Sequence, residues 1–107
     1  MKLFNKGIEK KLQEQYQLGN DLDNQVVVAK IFDPTSQWTW YLLNQDPEDP
    51  NSLWAIVRGF EVEIGSVGKK ELETFTGNFG LPLERDLYFR QRSAIEVWKA
   101  LLNGEHI

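Results

Sequence analysis

Two short acidic segments hold the residue types that could do chemistry. Asp46, Glu48 and Asp49 lie in Asn44-Gln45-Asp46-Pro47-Glu48-Asp49-Pro50-Asn51-Ser52, and Glu84, Arg85 and Asp86 precede Leu87-Tyr88-Phe89. If the segments converge, an arginine between carboxylates could orient them or hold an anionic group, while the acids bind a hard divalent cation or move protons. The plainer alternative makes the proline-flanked run a solvated connector and gives Arg85 an ion pair that fixes this loop onto the last strand. Charge pairs perturb titration at structural sites as well as catalytic ones, and the plainer alternative is preferred. Asp46, Glu48, Asp49, Glu84, Arg85, Asp86 and Tyr88 are therefore binding candidates, and no residue is assigned to catalysis, to a metal or to a cofactor.

Composition narrows the classes further. The single histidine, His106, lies one residue from the end of the sequence, a position prone to fraying and a poor base for a nucleophilic serine. Without cysteine there is no disulfide framework, thiolate zinc site or thiol nucleophile. No phosphate-loop, dinucleotide or metalloprotease motif occurs. The net charge of −4 gives nucleic-acid binding no support, which would need Lys6, Lys10, Lys11, Lys69, Lys70, Arg90 and Arg92 to gather into one stripe. A signal peptide and a membrane span are not expected, and the expected location is the cytosol.

The elements that must position these residues follow from periodicity. A chain of 107 residues, 41% of them hydrophobic, fits one domain with its own core. Asn5 caps a first helix with Ile8, Leu12 and Tyr16 on its apolar side, and Gly19 is placed to end it. The connector Gly19–Asn24 carries Asp21, Asp23 and Asn24 but lacks the later glycine and glutamate of a calcium loop. Gln25–Phe32 is apolar on both alternating sets, as in a covered strand. Asp33-Pro34-Thr35-Ser36 turns it into Trp38–Leu43, with Trp38, Trp40 and Leu42 on one face and Thr39, Tyr41 and Leu43 on the other.

Leu53–Val57 predicts another buried strand. Arg58-Gly59 turns it into an acidic-faced strand holding Phe60, Val62 and Ile64. Gly68 caps a short helix over Lys69–Phe75. After the Gly77-Asn78-Phe79-Gly80 break, alternation predicts a last strand over Glu84–Phe89. Ser93-Ala94-Ile95-Glu96 has the form of a capping box. It opens a closing helix with Ala94, Val97, Trp98, Leu101 and Leu102 inward and Gly104 at its exit.

Several of these stretches carry a family likeness: Val27-Val28-Ala29-Lys30-Ile31-Phe32, Trp40-Tyr41-Leu42-Leu43 leading into Asp46-Pro47-Glu48-Asp49-Pro50, Ile64-Gly65-Ser66-Val67 followed by Glu71-Leu72-Glu73, and above all Gly80-Leu81-Pro82-Leu83-Glu84-Arg85-Asp86-Leu87-Tyr88-Phe89. From about Gln25 onward the chain resembles a bacterial family of small single-domain proteins of unknown function, often encoded on plasmids, phages and other mobile elements. The resemblance implies a cytosolic bacterial setting and an accessory role on mobile DNA. It implies no reaction, cofactor or catalytic residue.

The expected fold is α+β: a mainly antiparallel sheet of about five strands, helices at both termini and one short internal helix, with the helices on one face of the sheet. The expected function is a non-catalytic interaction module that binds another protein through its acidic loops or through aromatics around Trp38, Trp54 and Tyr88. A small carboxylate-dependent enzyme, possible only if the acidic segments share a pocket, and a nucleic-acid binder are the alternatives.

Overall fold

Strand alternation and helical periodicity are realised in an α+β fold, and the computed structural model describes residues 1–107 throughout. Helix α1 (Lys6–Glu14) starts where the Asn5 side chain accepts a hydrogen bond from the Ile8 N–H at 2.8 Å. A 3-10 turn (Tyr16–Leu18) ends at Gly19, whose φ of 52° suits glycine. Strands β1 (Val26–Val27) and β2 (Ala29–Phe32) follow, then the longer β3 (Thr39–Gln45), β4 (Ser52–Arg58) and β5 (Val62–Gly68). Helix α2 (Lys69–Thr74), a 3-10 turn (Asn78–Gly80), β6 (Glu84–Arg85), β7 (Arg92–Ser93) and α3 (Ala94–Leu102) complete the chain.

Five strands form one antiparallel sheet in the order β5-β4-β3-β2-β6, and β1 pairs with β7 as a separate ribbon. The valine-rich run is thus two strands, broken at Val28, rather than one. Its second part pairs with the tryptophan-bearing β3 (Ile31 with Trp40, Ala29 with Leu42), and β3 is the middle of the sheet.

All seven residues of β3 are buried, which requires cover on both faces. On one face Leu12 of α1 and Leu72 of α2 pack with Leu3, Phe4, Ile31, Trp40, Leu42 and Leu53. On the other, Ala94, Val97 and Leu101 of α3 pack with Val27, Tyr41, Leu43 and Ile56. The expectation that the helices shield one face is therefore corrected. Because β3 carries Trp40 and Leu42 on one face and Tyr41 and Leu43 on the other, either face left bare would put a row of large side chains in water.

Two further local expectations change. Ser93 precedes α3 and pairs with Val26 in β7, but makes no side-chain cap. Leu102 is exposed, and Ala100 takes the inward position beside Leu101.

A bulge in β3 decides where two polar side chains go. Leu42 pairs with Ala55 and Gln45 with Leu53, so three steps on β3 match two on β4. The extra residue swings Gln45 onto the α1 face, where its Nε2 donates to Glu9 Oε1 at 3.1 Å and its Oε1 accepts from Gln13 at 3.0 Å. Asn44 turns the other way and donates to the Gly19 carbonyl and to Gln25 Oε1. Gln15, also buried, donates to the Leu43 and Val26 carbonyls and accepts from the Val26 N–H. These amides fasten the segment after α1 to the centre of the sheet.

Candidate functional site

The two acidic segments lie at opposite ends of the central strands. Glu84 pairs with Phe32, which pairs with Thr39 at the start of β3, whereas Asp46 follows Gln45 at its far end. No cavity is lined by both segments, and no three His, Cys, Asp or Glu side chains converge in a set that could hold a metal ion.

The β3–β4 loop is organised by itself. Asp46 Oδ1 accepts from the Glu48 N–H at 2.8 Å, and the Asp46 N–H donates to the Ser52 carbonyl at 3.0 Å. Glu48 and Asp49 point to solvent, and the exposed Pro47 borders an open groove with Glu9, Gln13 and neighbouring residues of α1. Hydrogen bonding to the Asp46 carboxylate, then its charge, raises the Tyr16 hydroxyl above its ordinary value.

The second segment forms a groove. Leu83, 2% exposed, anchors it in the core, and Glu84 and Arg85 then pair with Phe32 and Ile31. The strand stops there instead of running to Phe89. Asp86 Oδ1 accepts from the Tyr88 N–H at 2.9 Å, and the Asp86 carbonyl accepts from the Phe89 N–H at 3.3 Å. This side-chain turn takes the place of further pairing to β2, of which only Ala29 is left beyond Lys30.

The turn throws Leu87 and Tyr88 outward, leaving them 63% and 93% exposed. They border an open groove of about 320 Å³ with Phe32 and Met1, while Lys30, Glu84 and Asp86 supply charge of both signs. Lys30 Nζ lies 3.8 Å from Asp86 Oδ2 and donates to the Ile107 oxygen at 2.7 Å. Arg85 does not reach the Asp46 loop. Its Nη1 donates to the Leu3 carbonyl at 3.0 Å, holding the N-terminal segment against the sheet.

The backbone of β6 is half open. The Asp86 N–H donates to the Lys30 carbonyl, so antiparallel alternation turns the N–H and C=O of Arg85 away from β2. That N–H meets only the Met1 thioether, at 3.1 Å, a weak acceptor beside a peptide carbonyl.

A second apolar feature was legible only in part, since Trp38 and Trp40 were expected on one face but Phe60 and Phe75 were not expected beside them. Trp38 stacks on Trp40 at 6.0 Å and takes the edge of Phe60 at 5.5 Å, and Trp40 meets Phe75 at 6.1 Å. Phe60 lies in the β4–β5 turn, 94% exposed, rather than within β5 as its alternation suggested. Its place directly after Gly59 in a turn was the available signal. Trp38 and Trp54 are half-buried, so of the three aromatics singled out only Tyr88 projects freely. Among the basic residues, Lys11 pairs with Glu14 and Lys69 with Glu9, which neutralises part of the positive charge on α1 and α2. No helix is long and apolar enough to cross a membrane.

Neither a curated protein nor a solved structure matches the sequence. One family model, described as "Protein of unknown function (DUF2958)", matches residues 3–105, and the chain therefore belongs to that family.

Proposed function

We propose that this chain is a non-catalytic protein-interaction module whose contact surface is the groove beside β6. The observation that carries this reading is the outward placement of Leu87 and Tyr88 next to a short edge strand whose outward groups are the Arg85 C=O and an N–H that meets only the Met1 thioether. Extended peptides add to such edges, drawing affinity from main-chain hydrogen bonds and selectivity from flanking side chains. Covering Leu87 and Tyr88 would contribute about 3 kcal/mol of apolar burial. Lys30, Glu84 and Asp86 would orient a partner that carries both charges. The cytoplasmic setting and the accessory role in bacteria with mobile elements are supported by the sequence resemblance.

The test compares proteins captured from host-cell lysate by the wild type, by Leu87→Ser/Tyr88→Ser and by Asp46→Asn/Asp49→Asn. A partner lost with the first variant and kept with the second is the expected result. Capture of the same proteins by all three would refute the assignment of the groove.

A further inference from the structure

The opposite edge of the sheet is longer and unplugged. The Lys69 N–H donates to the Asn51 carbonyl and the Gly59 N–H to the Glu61 carbonyl, and the β4–β5 register between them has no bulge. Alternation therefore points Glu63, Gly65 and Val67 inward through their backbones, and turns the N–H and C=O of Val62, Ile64 and Ser66 outward. The last outward N–H, that of Gly68, is already used by Glu71 Oε1. The stretch has no proline, no lysine and no bulge, and Glu63 is its one charged edge guard.

We infer that β5 is a self-association edge, on which a second copy of this chain pairs antiparallel about a two-fold axis at Ile64 to give one continuous sheet. An isologous contact must match itself, and this register does. It sets Ile64 opposite Ile64 of the second copy and Val62 opposite Ser66, giving roughly six hydrogen bonds, two per pair. It also sets Glu63 opposite Gly65, where the space a side chain would occupy is empty. The half-buried Val62 and Ile64, packed against the α3 face, gain cover from their counterparts.

The neighbouring registers are worse. With the axis at Glu63, two carboxylates meet in the closely spaced, non-hydrogen-bonded type of pair, which like charges destabilise. With the axis at Gly65, Val62 must pair with Gly68, whose N–H is taken. In the favoured register the two Glu63 side chains remain diagonal neighbours at about 7–8 Å, so added salt strengthens the dimer modestly.

Sedimentation of the full chain over a range of concentrations tests this, with melting curves as the check on folding. The wild type is expected to show a reversible monomer–dimer equilibrium. Gly65→Glu, which meets open space in the monomer, sets carboxylates opposite one another twice and should raise the dimer dissociation constant about tenfold. Glu63→Lys/Gly65→Glu should restore it. Ser66→Pro removes an outward N–H and should abolish pairing. A wild type that stays monomeric, or a dimer indifferent to Gly65→Glu, overturns the inference. Should Ser66→Pro fail to fold, the charge pair alone decides.

Discussion

Lys69 Nζ meets Glu9 Oε1 at 2.6 Å across the top of the sheet, joining α2 to α1 while the lysine also lies 5.3 Å from the centre of the Phe4 ring. Burial pushes the Glu9 carboxyl up, but the hydrogen bonds from Lys69 and Gln45 and the charges of Lys69 and Lys2 outweigh it, and the group titrates below its ordinary 4.5. Glu9 is thus the hinge between a surface ion pair and the buried amide of Gln45.

A carboxyl lowered in the folded state contributes stability that is fully present above its unfolded value and is lost as pH falls through the folded one. For Glu9 the loss begins below about pH 4.5. Asp33 behaves alike from its ordinary 3.8, held down by the Thr35 N–H and hydroxyl against burial, with help from Ser36. Melting temperature should fall as pH drops through this window. Glu9→Gln should cost about 1 kcal/mol near neutrality and flatten the upper part of the decline. An unchanged pH profile in Glu9→Gln would show that the pair contributes nothing.

Gly59 is predicted to resist any side chain. A Cβ there would stand 2.3 Å from the Trp38 ring, and the ring is wedged between Trp40 and Phe60. Gly59→Ala should displace Trp38, cost about 1–3 kcal/mol and shift the tryptophan emission. An alanine variant with wild-type melting and emission would mean that the ring moves freely.

The hairpins were legible because alternation is a local property: Trp38, Trp40 and Leu42 do share a face opposite Tyr41 and Leu43. The placement of the helices was not. The apolar stripe of α1 says that one side is dry, but not which sheet face it meets, and the clue lay instead in the two-sided burial demanded by β3. The Glu84–Phe89 alternation misled because Asp86 can bond the Tyr88 N–H, a contact available to one residue without any partner strand. Of the site candidates, Glu84, Arg85, Asp86 and Tyr88 do gather at one groove, while Asp46, Glu48 and Asp49 lie away from it. That separation is a matter of strand order, which periodicity does not encode.

The buried amide of Gln45 should be costly to remove. Its Nε2 also donates to the Pro50 carbonyl at 2.6 Å, so Gln45→Ala would orphan that carbonyl, Gln13 and one lone pair of Glu9 in addition to opening a void. About 2–4 kcal/mol is expected. Gln45→Glu should be nearly as harmful, since a second carboxylate would stand beside Glu9. Equal stability of Gln45→Ala and wild type by chemical denaturation would contradict this.

The Asp33 turn and the Gly77–Gly80 loop are locked by a close approach. A Cβ at Gly77 would lie 2.9 Å from Asp33 Oδ2, and that carboxylate cannot retreat because Thr35 donates to Oδ1 through both its N–H (2.8 Å) and its hydroxyl (2.7 Å), while Ser36 holds Oδ2. The loop beyond carries Phe79, 92% exposed at a φ of 61°, a conformation unfavourable for a bulky residue. Gly77→Ala should therefore cost about 1–3 kcal/mol. Phe79→Gly, which relieves the backbone and removes no core contact, should leave stability unchanged or slightly raised. If Phe79→Gly instead destabilised the fold by more than Gly77→Ala, the exposed ring would have to be packed in solution, and the close approach at Asp33 would not be what holds this loop.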